Sequence, residues 1–199
     1  MKTLFFIVAM NFVSAMAVSA AETPLDTVKT TFEDGSPSRV YTVLKGTDLK
    51  EGVSLTYHPN GKLAVEAPYK AGKLHGQFRS YYESGKLWLA IDYTNGVENG
   101  GSVDFYENGI KRKKETYKHG VLEGVVEEWT EKGTLKQKLP YVHGRIHGVA
   151  KVFDDLGGLK EEMTFEEGIR NGVYRRYQRG LMILEAQFKD NRCVKNCDF

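Results

Sequence analysis

The chain has 199 residues, with 28 Lys plus Arg against 26 Asp plus Glu and a formal net charge of +2. That balance excludes the strongly basic face of a nucleic-acid binder, and the length holds one globular domain or one repeat array. With 21 glycines, 12% aromatic residues and only 5 prolines, the composition suits many short strands and tight turns better than helices.

Residues 1–20 form a segment of their own. Lys2 gives a positive start, Leu4 to Val13 is apolar apart from Asn11, and Val18-Ser19-Ala20 fits a small-x-small cleavage site. The pattern predicts a secretory signal peptide. A membrane anchor needs about 20 consecutive apolar residues, and this run is shorter and broken by polar ones. No cysteine follows the cleavage region to carry a lipid. The expected location is therefore outside the cytoplasm: periplasmic, cell-surface or secreted.

Residues 21–51 contain an irregular unit. Phe32, Gly35, Tyr41 and Gly46 echo the pattern that follows, with altered spacing. An end repeat has an edge to protect, so this segment reads as an N-terminal cap.

Residues 52–191 are periodic. Gly52, Gly76, Gly100, Gly124, Gly148 and Gly172 are spaced by 24 residues and define offset 0 of six units. Offset 5 is aromatic throughout: Tyr57, Tyr81, Phe105, Trp129, Phe153 and Tyr177. Offset 9 is Gly61, Gly85, Gly109, Gly133 and Gly157, with Gly180 one residue early. Offset 17 is Tyr69, Tyr93, Tyr117, Tyr141 and Phe165, with Phe188 again one early. Offset 20 is Gly72, Gly96, Gly120, Gly144 and Gly168. These registers hold 17 of the 21 glycines, too many for coincidence.

The segment His58-Pro59-Asn60-Gly61 and its counterparts predict a three-residue hairpin loop, a type I turn followed by a left-handed glycine. The glycines at offset 20 mark a second turn. Each unit is then two strands and two turns, and six units make about twelve antiparallel strands in a meander, roughly 55–60 Å long at about 4.8 Å per strand. The expected fold is all-β: an elongated single-layer sheet of repeated hairpins. A loop at offsets 7–9 sets offset 5 opposite offset 11, which holds Leu63, Leu87, Leu135 and Leu159, with Lys111 the exception. Offset 15 holds Ala67, Ile91, Leu139 and Met163, with Glu115 the exception. All these offsets are odd, so both aromatic series are expected on one apolar face, with offsets 14, 16 and 18 on a wet face. The apolar face is expected to curl on itself or to be covered by the N-terminal segment, a partner or a second copy.

In the tail, residues 192–199, Cys193 and Cys197 are the only cysteines. In an oxidising compartment the pair closes a small loop; the metal alternative needs two more ligands, and none lie nearby in sequence.

The run Tyr81-Tyr82-Glu83-Ser84-Gly85-Lys86-Leu87, followed by Tyr93 and Gly96, resembles the bacterial variant of the MORN repeat, as do Phe105 to Gly109 and Tyr69 to Gly76. The resemblance covers about residues 52–191. Units four to six depart more, as in Trp129 to Gly133 and Tyr177 to Gly180. It implies an elongated sheet of hairpins serving as a scaffold for protein or membrane contacts, with no catalytic set and no cofactor. Bacterial members are often labelled antitoxin-like, and a cytoplasmic antitoxin has no use for an export signal.

Candidate chemistry is sparse. His119 and His143 share offset 19, and His75 and His147 share offset 23, so these lie along one sheet edge. Equivalent positions in successive units are roughly 9–10 Å apart, too far for one metal ion. His143 and His147 flank one turn, and His58 stands apart. The acid pairs Asp154-Asp155 and Glu161-Glu162 read as solvated charges. No nucleophile–base grouping is evident, so no enzyme is expected. The candidate binding residues are Phe78, Tyr82, Trp88 and Tyr106, at even offsets on the expected wet face, with Trp88 opposite Tyr106. The alternative reading is a set of cross-strand pairs that stabilise the sheet. The partner expected is a protein or glycan; a membrane surface and self-association through the apolar face stay open.

Overall fold

Turn chemistry organises the chain. In the computed structural model, which describes residues 24–197, each offset-9 glycine closes a hairpin as its spacing predicts. Gly85 N donates to Tyr82 O at 2.8 Å and Tyr82 N to Lys86 O at 2.9 Å, with Gly85 at φ 87°. The same two bonds recur at His58–Lys62, Tyr106–Ile110, Thr130–Thr134 and Asp154–Gly158. They recur also in the cap, at Phe32–Ser36. The last repeat lacks one residue, and its hairpin is the two-residue type, with Arg179 at φ 51° and Gly180 at φ 78°.

Among the described residues there are eighteen strands in one sheet and no helix. The cap is β1 (Leu25–Thr31) and β2 (Pro37–Leu44). The repeats are β3 (Gly52–Tyr57), β4 (Leu63–Lys70), β5 (Lys73–Leu74), β6 (Gly76–Tyr81), β7 (Leu87–Thr94), β8 (Val97–Phe105), β9 (Lys111–Lys118), β10 (Val121–Leu122), β11 (Gly124–Trp129), β12 (Leu135–Val142), β13 (Arg145–Ile146), β14 (Gly148–Phe153), β15 (Leu159–Glu166), β16 (Ile169–Gln178) and β17 (Leu181–Lys189). A final β18 (Arg192–Lys195) leads to the bond between Cys193 and Cys197, whose Cα atoms are 5.8 Å apart. Each longer strand pairs antiparallel with the longer strands before and after it, and β5, β10 and β13 each pair only with the strand that precedes them. The expected signal peptide, residues 1–20, lies outside the described residues.

The count of eighteen exceeds the expected twelve repeat strands plus a cap. The excess comes from β18 and from the two-residue strands β5, β10 and β13. Each of these three is the start of a repeat's first strand, cut off by an irregularity beside the offset-0 glycine: the register runs Tyr69↔Leu74, then resumes as Glu66↔Arg79. In β8 and β16 the same stretch stays continuous.

A second irregularity corrects the arrangement of faces. Offset 5 does lie opposite offset 11, as in Tyr81↔Leu87, but the next pair is Ser80↔Leu89. The residue at offset 12, here Trp88, is an extra one in a β-bulge. Tyr81 and Ser80 are neighbours in a regular strand and point to opposite faces. Leu87 and Leu89 therefore also sit on opposite faces, although both offsets are odd. The two aromatic series consequently lie on opposite sides of the sheet. Offsets 2, 4, 13, 15 and 17 share what we call the inner face. Offsets 3, 5, 11 and 14 share the outer face, where the Tyr81 hydroxyl meets Glu66 at 3.3 Å and the Tyr177 hydroxyl meets Glu162 at 2.9 Å.

All buried side chains among the described residues belong to the inner face: Val43, Ala67, Val126, Ala150, Tyr174, Ala186 and Phe188, with Ser54, Ser80, Ser102 and Asp104. With no second layer over it among the described residues, such a face buries its side chains by curving so that they shield one another. Small residues at offsets 2 and 15, such as Ser54, Ala67, Ser102 and Ala150, leave room for that curvature.

The outer face carries a charge row at offsets 3 and 14. Lys138 meets Glu127 at 2.7 Å, Lys151 meets Glu162 at 3.1 Å, and Arg175 lies between Glu162 (3.8 Å) and Glu185 (2.9 Å). Partial burial alone would raise the Glu162 carboxyl, but hydrogen bonds from Lys151 and Tyr177 and the charges of Lys151 and Arg175 outweigh it and hold it below the usual range. A carboxyl lowered in the folded state stabilises the fold above its unfolded pKa, and that contribution disappears as pH falls through the folded value. Glu162→Gln is thus expected to lose about 1.5–3 kcal/mol at pH 7. In urea titrations the gap from wild type should close at acid pH; a gap that is constant with pH would contradict the assignment.

Candidate interaction surfaces

The inner face is an open trough of aromatic and aliphatic rows. Phe78 meets Tyr93 edge-on with ring centroids 6.2 Å apart, and Tyr174 meets Phe188 likewise at 6.1 Å. At the N-terminal end the Lys50 ammonium lies 4.9 Å from the Tyr41 ring centroid and 4.7 Å from that of Tyr69. Tyr41 thus ties the cap to the first repeat.

The middle repeat interrupts the trough. Asp104 pairs with Arg112, and Lys113 with Glu115 at 3.0 Å. Burial, then the charges of Glu115 and Glu98, push the Tyr117 phenol up to about 12. The result is a polar band with apolar stretches on both sides.

The four candidate binding residues sit on this inner face and not on a polar one, because the bulge at offset 12 reverses the parity. Phe78 faces Ile91 and packs on Tyr93. Tyr82 contacts Trp88, ring centroids 6.1 Å apart, and Trp88 is 42% exposed. Tyr106 lines a shallow groove with Asp104, Arg112, Glu128 and Lys136. The two hydroxyls among these four residues have a structural use that the sequence did not reveal. Tyr82 donates to Phe105 O at 2.7 Å and Tyr106 to Trp129 O at 2.9 Å, each tying one hairpin tip to the next. His58 holds the equivalent place one unit earlier, with Nε2 2.9 Å from Tyr81 O. The amides of Asn60 and Asn108 donate to Glu83 O and Glu131 O in the same way. The recoverable signal was the polar residue at offset 6 and the asparagine at offset 8. Tyr106→Phe is expected to cost about 1 kcal/mol, read from the urea midpoint.

The opposite edge is a stack of two-residue turns. Both central residues have positive φ, as at Asn95-Gly96 (52° and 85°) and His143-Gly144 (50° and 78°). Each turn glycine donates back one repeat, Gly96 N to Leu74 O at 2.7 Å and Gly144 N to Leu122 O at 2.9 Å. The histidines belong to this stack. The His119 and His143 backbone amides donate to Asn99 Oδ1 and Glu123 Oε2, at 3.1 and 2.9 Å. His75 Nδ1 lies 3.3 Å from Asn95 Oδ1, and His147 Nδ1 lies 3.5 Å from Glu167. His143 and His147 thus each face a different glutamate. Among the described residues no group of three or more His, Cys, Asp or Glu is placed to hold a metal ion.

Against known families, residues 50–71, 74–95, 122–143 and 146–167 match the MORN repeat variant. The chain carries repeats of the MORN repeat variant family. Each match runs from two residues before the offset-0 glycine to the first residue of the second turn, so one MORN match is one hairpin with its flanks. The matches include the fourth and fifth units, which corrects the expectation that units four to six depart most. The unmatched units are the third and the sixth. The third is the one with Lys111 and Glu115 at otherwise apolar offsets, and the sixth is the one with the shortened hairpin. No curated protein matches the chain. MORN repeats make this protein a repeat scaffold.

Proposed function

We propose that this MORN-repeat protein is an exported, non-catalytic scaffold that binds a protein or glycan at the cell envelope along its inner face. One observation carries the reading: the trough of aromatic rows is not covered by any other element among the described residues, and its rungs recur at the repeat spacing. An uncovered apolar trough with fixed rungs suits an extended partner. The segment Met1 to Ala20 supports export. Capture from an exported fraction tests the proposal. The wild-type chain is expected to retain specific components that a Trp88→Ser, Met163→Ser variant with intact circular dichroism loses. Equal capture by both would sink it.

A second reading, peripheral membrane binding, is favoured by the hairpin-tip edge of the last two repeats. Leu156 is 96% exposed, and Leu181, Met182 and Ile183 are 72%, 53% and 55% exposed. These tips suit shallow insertion between lipids. Cosedimentation with anionic vesicles should then fall on Leu156→Glu and Ile183→Glu; binding that ignores both changes rules the reading out.

A further inference from the structure

We infer that the C-terminal part of the inner face is a subsite for an extended acidic–apolar segment of a partner protein, with Arg170 as the anion-binding residue. The inference rests on the scaffold reading and names the chemistry of what it takes.

A groove of about 430 Å³ is bounded by Met163, Tyr174 and Phe188, with Arg170, Arg176 and Glu161 at its rim. A neighbouring groove of about 230 Å³ shares Arg170, Glu161, Met163 and Tyr174 and continues over Phe165 and Leu139. Together they make one apolar trough with arginines at its margin. Tyr174 and Phe188 are 5% and 6% exposed, and Ala186, at 1%, lies beside them, so the floor is well packed. The adjoining Cys193, bonded to Cys197, limits movement at the end of the sheet.

The charges decide the ligand. Elsewhere on the inner face Arg112 is matched by Asp104 and Lys113 by Glu115, and Lys50 lies between two tyrosine rings. Arg170 makes no ion pair among the described residues. Its guanidinium lies over the Phe188 ring, 5.0 Å from the centroid. A guanidinium held over a ring still has N–H groups to donate, and its fork fits a carboxylate with two parallel hydrogen bonds. Arg176 also makes no ion pair among the described residues; its Nε donates to the Tyr174 hydroxyl at 3.1 Å. Glu161 is its cross-strand neighbour and adds a like charge near any bound anion. The anion is therefore assigned to Arg170, on the far side of Tyr174 from Glu161. Apolar side chains of the same segment would lie over Met163 and Tyr174. In an extended segment alternate residues face the same way, so a sequence alternating apolar and acidic residues presents one kind to the trough and the other to the rim.

The test uses the whole chain and a short fluorescein-labelled peptide alternating Leu and Glu, followed by fluorescence anisotropy. Binding is expected to weaken about tenfold or more for Arg170→Gln and less for Arg170→Lys, which keeps the charge but not the fork. Glu161→Gln is expected to tighten binding. The matching Leu–Gln peptide should bind worse than Leu–Glu. Equal affinity of the two peptides, indifference to Arg170→Gln, or no binding of the Leu–Glu peptide overturns the subsite. So does loss of anionic-vesicle binding or of a dimer on gel filtration as the only effect of Arg170→Gln; these outcomes assign the arginine to lipid or to a second copy. If capture from the exported fraction persists while the peptide fails, the subsite alone is wrong. If capture itself fails, the scaffold reading falls.

Discussion

Gly172→Val is expected to destabilise the C-terminal repeats by about 3–5 kcal/mol. Gly172 stands where the last repeat begins, at φ 121°, a conformation that L side chains rarely adopt. A Cβ there would lie 2.8 Å from Thr164 Cβ and 3.0 Å from its Cγ2. Thr164 cannot swing aside without loss, because its hydroxyl donates to Val173 O at 3.1 Å. Backbone strain of about 1–3 kcal/mol and overpacking of similar size therefore act together. Gly124 is the control. It holds the same offset at φ 86°, with nothing within 4 Å of a built Cβ. Gly124→Ala should cost only about 1 kcal/mol, the left-handed penalty alone. Urea unfolding of both variants decides; a Gly172→Val midpoint close to that of Gly124→Ala would show that the close approach to Thr164 is not real.

Tyr174→Ala is expected to cost about 3–5 kcal/mol, with the loss confined to one end of the molecule. Tyr174 is the largest buried residue of the C-terminal cluster, packed edge-on against Phe188 and beside Met163, Leu184 and Ala186. Its removal leaves a cavity in a face that has no second layer among the described residues to collapse onto it. In a linear array each strand touches only its neighbours, so stability is close to a sum of local terms. Hydrogen exchange should show amides of β15 to β18 losing protection while β3 to β8 keep theirs. Uniform loss of protection along the chain would mean that the array unfolds as one cooperative unit.

How much of this was legible beforehand varies by feature. The hairpin loops were, because each requires a left-handed residue at a fixed place and glycine marks it. The pairing of offset 5 with offset 11 followed from loop length alone. The bulge at offset 12 was not legible: Ala64, Trp88, Arg112 and Lys136 share no side-chain character there, and a bulge forms where pairing across the hairpin is best satisfied with one residue left over. That single extra residue sent Tyr81 and Tyr93 to opposite faces and brought the Phe78, Tyr82, Trp88 and Tyr106 set to the inner one. The tip-to-tip bonds of Tyr82 and Tyr106 were equally hidden, since their acceptors are main-chain carbonyls 23 residues away.

By itself the sequence determined the class, the repeat length, the turn positions and the family, because each depends on local backbone chemistry that recurs every 24 residues. The tertiary structure alone decided which aromatics share a side, where burial concentrates and which arginines have no acidic partner among the described residues. Those depend on the register between strands, and in a sheet one unpaired residue turns every later side chain to the other face.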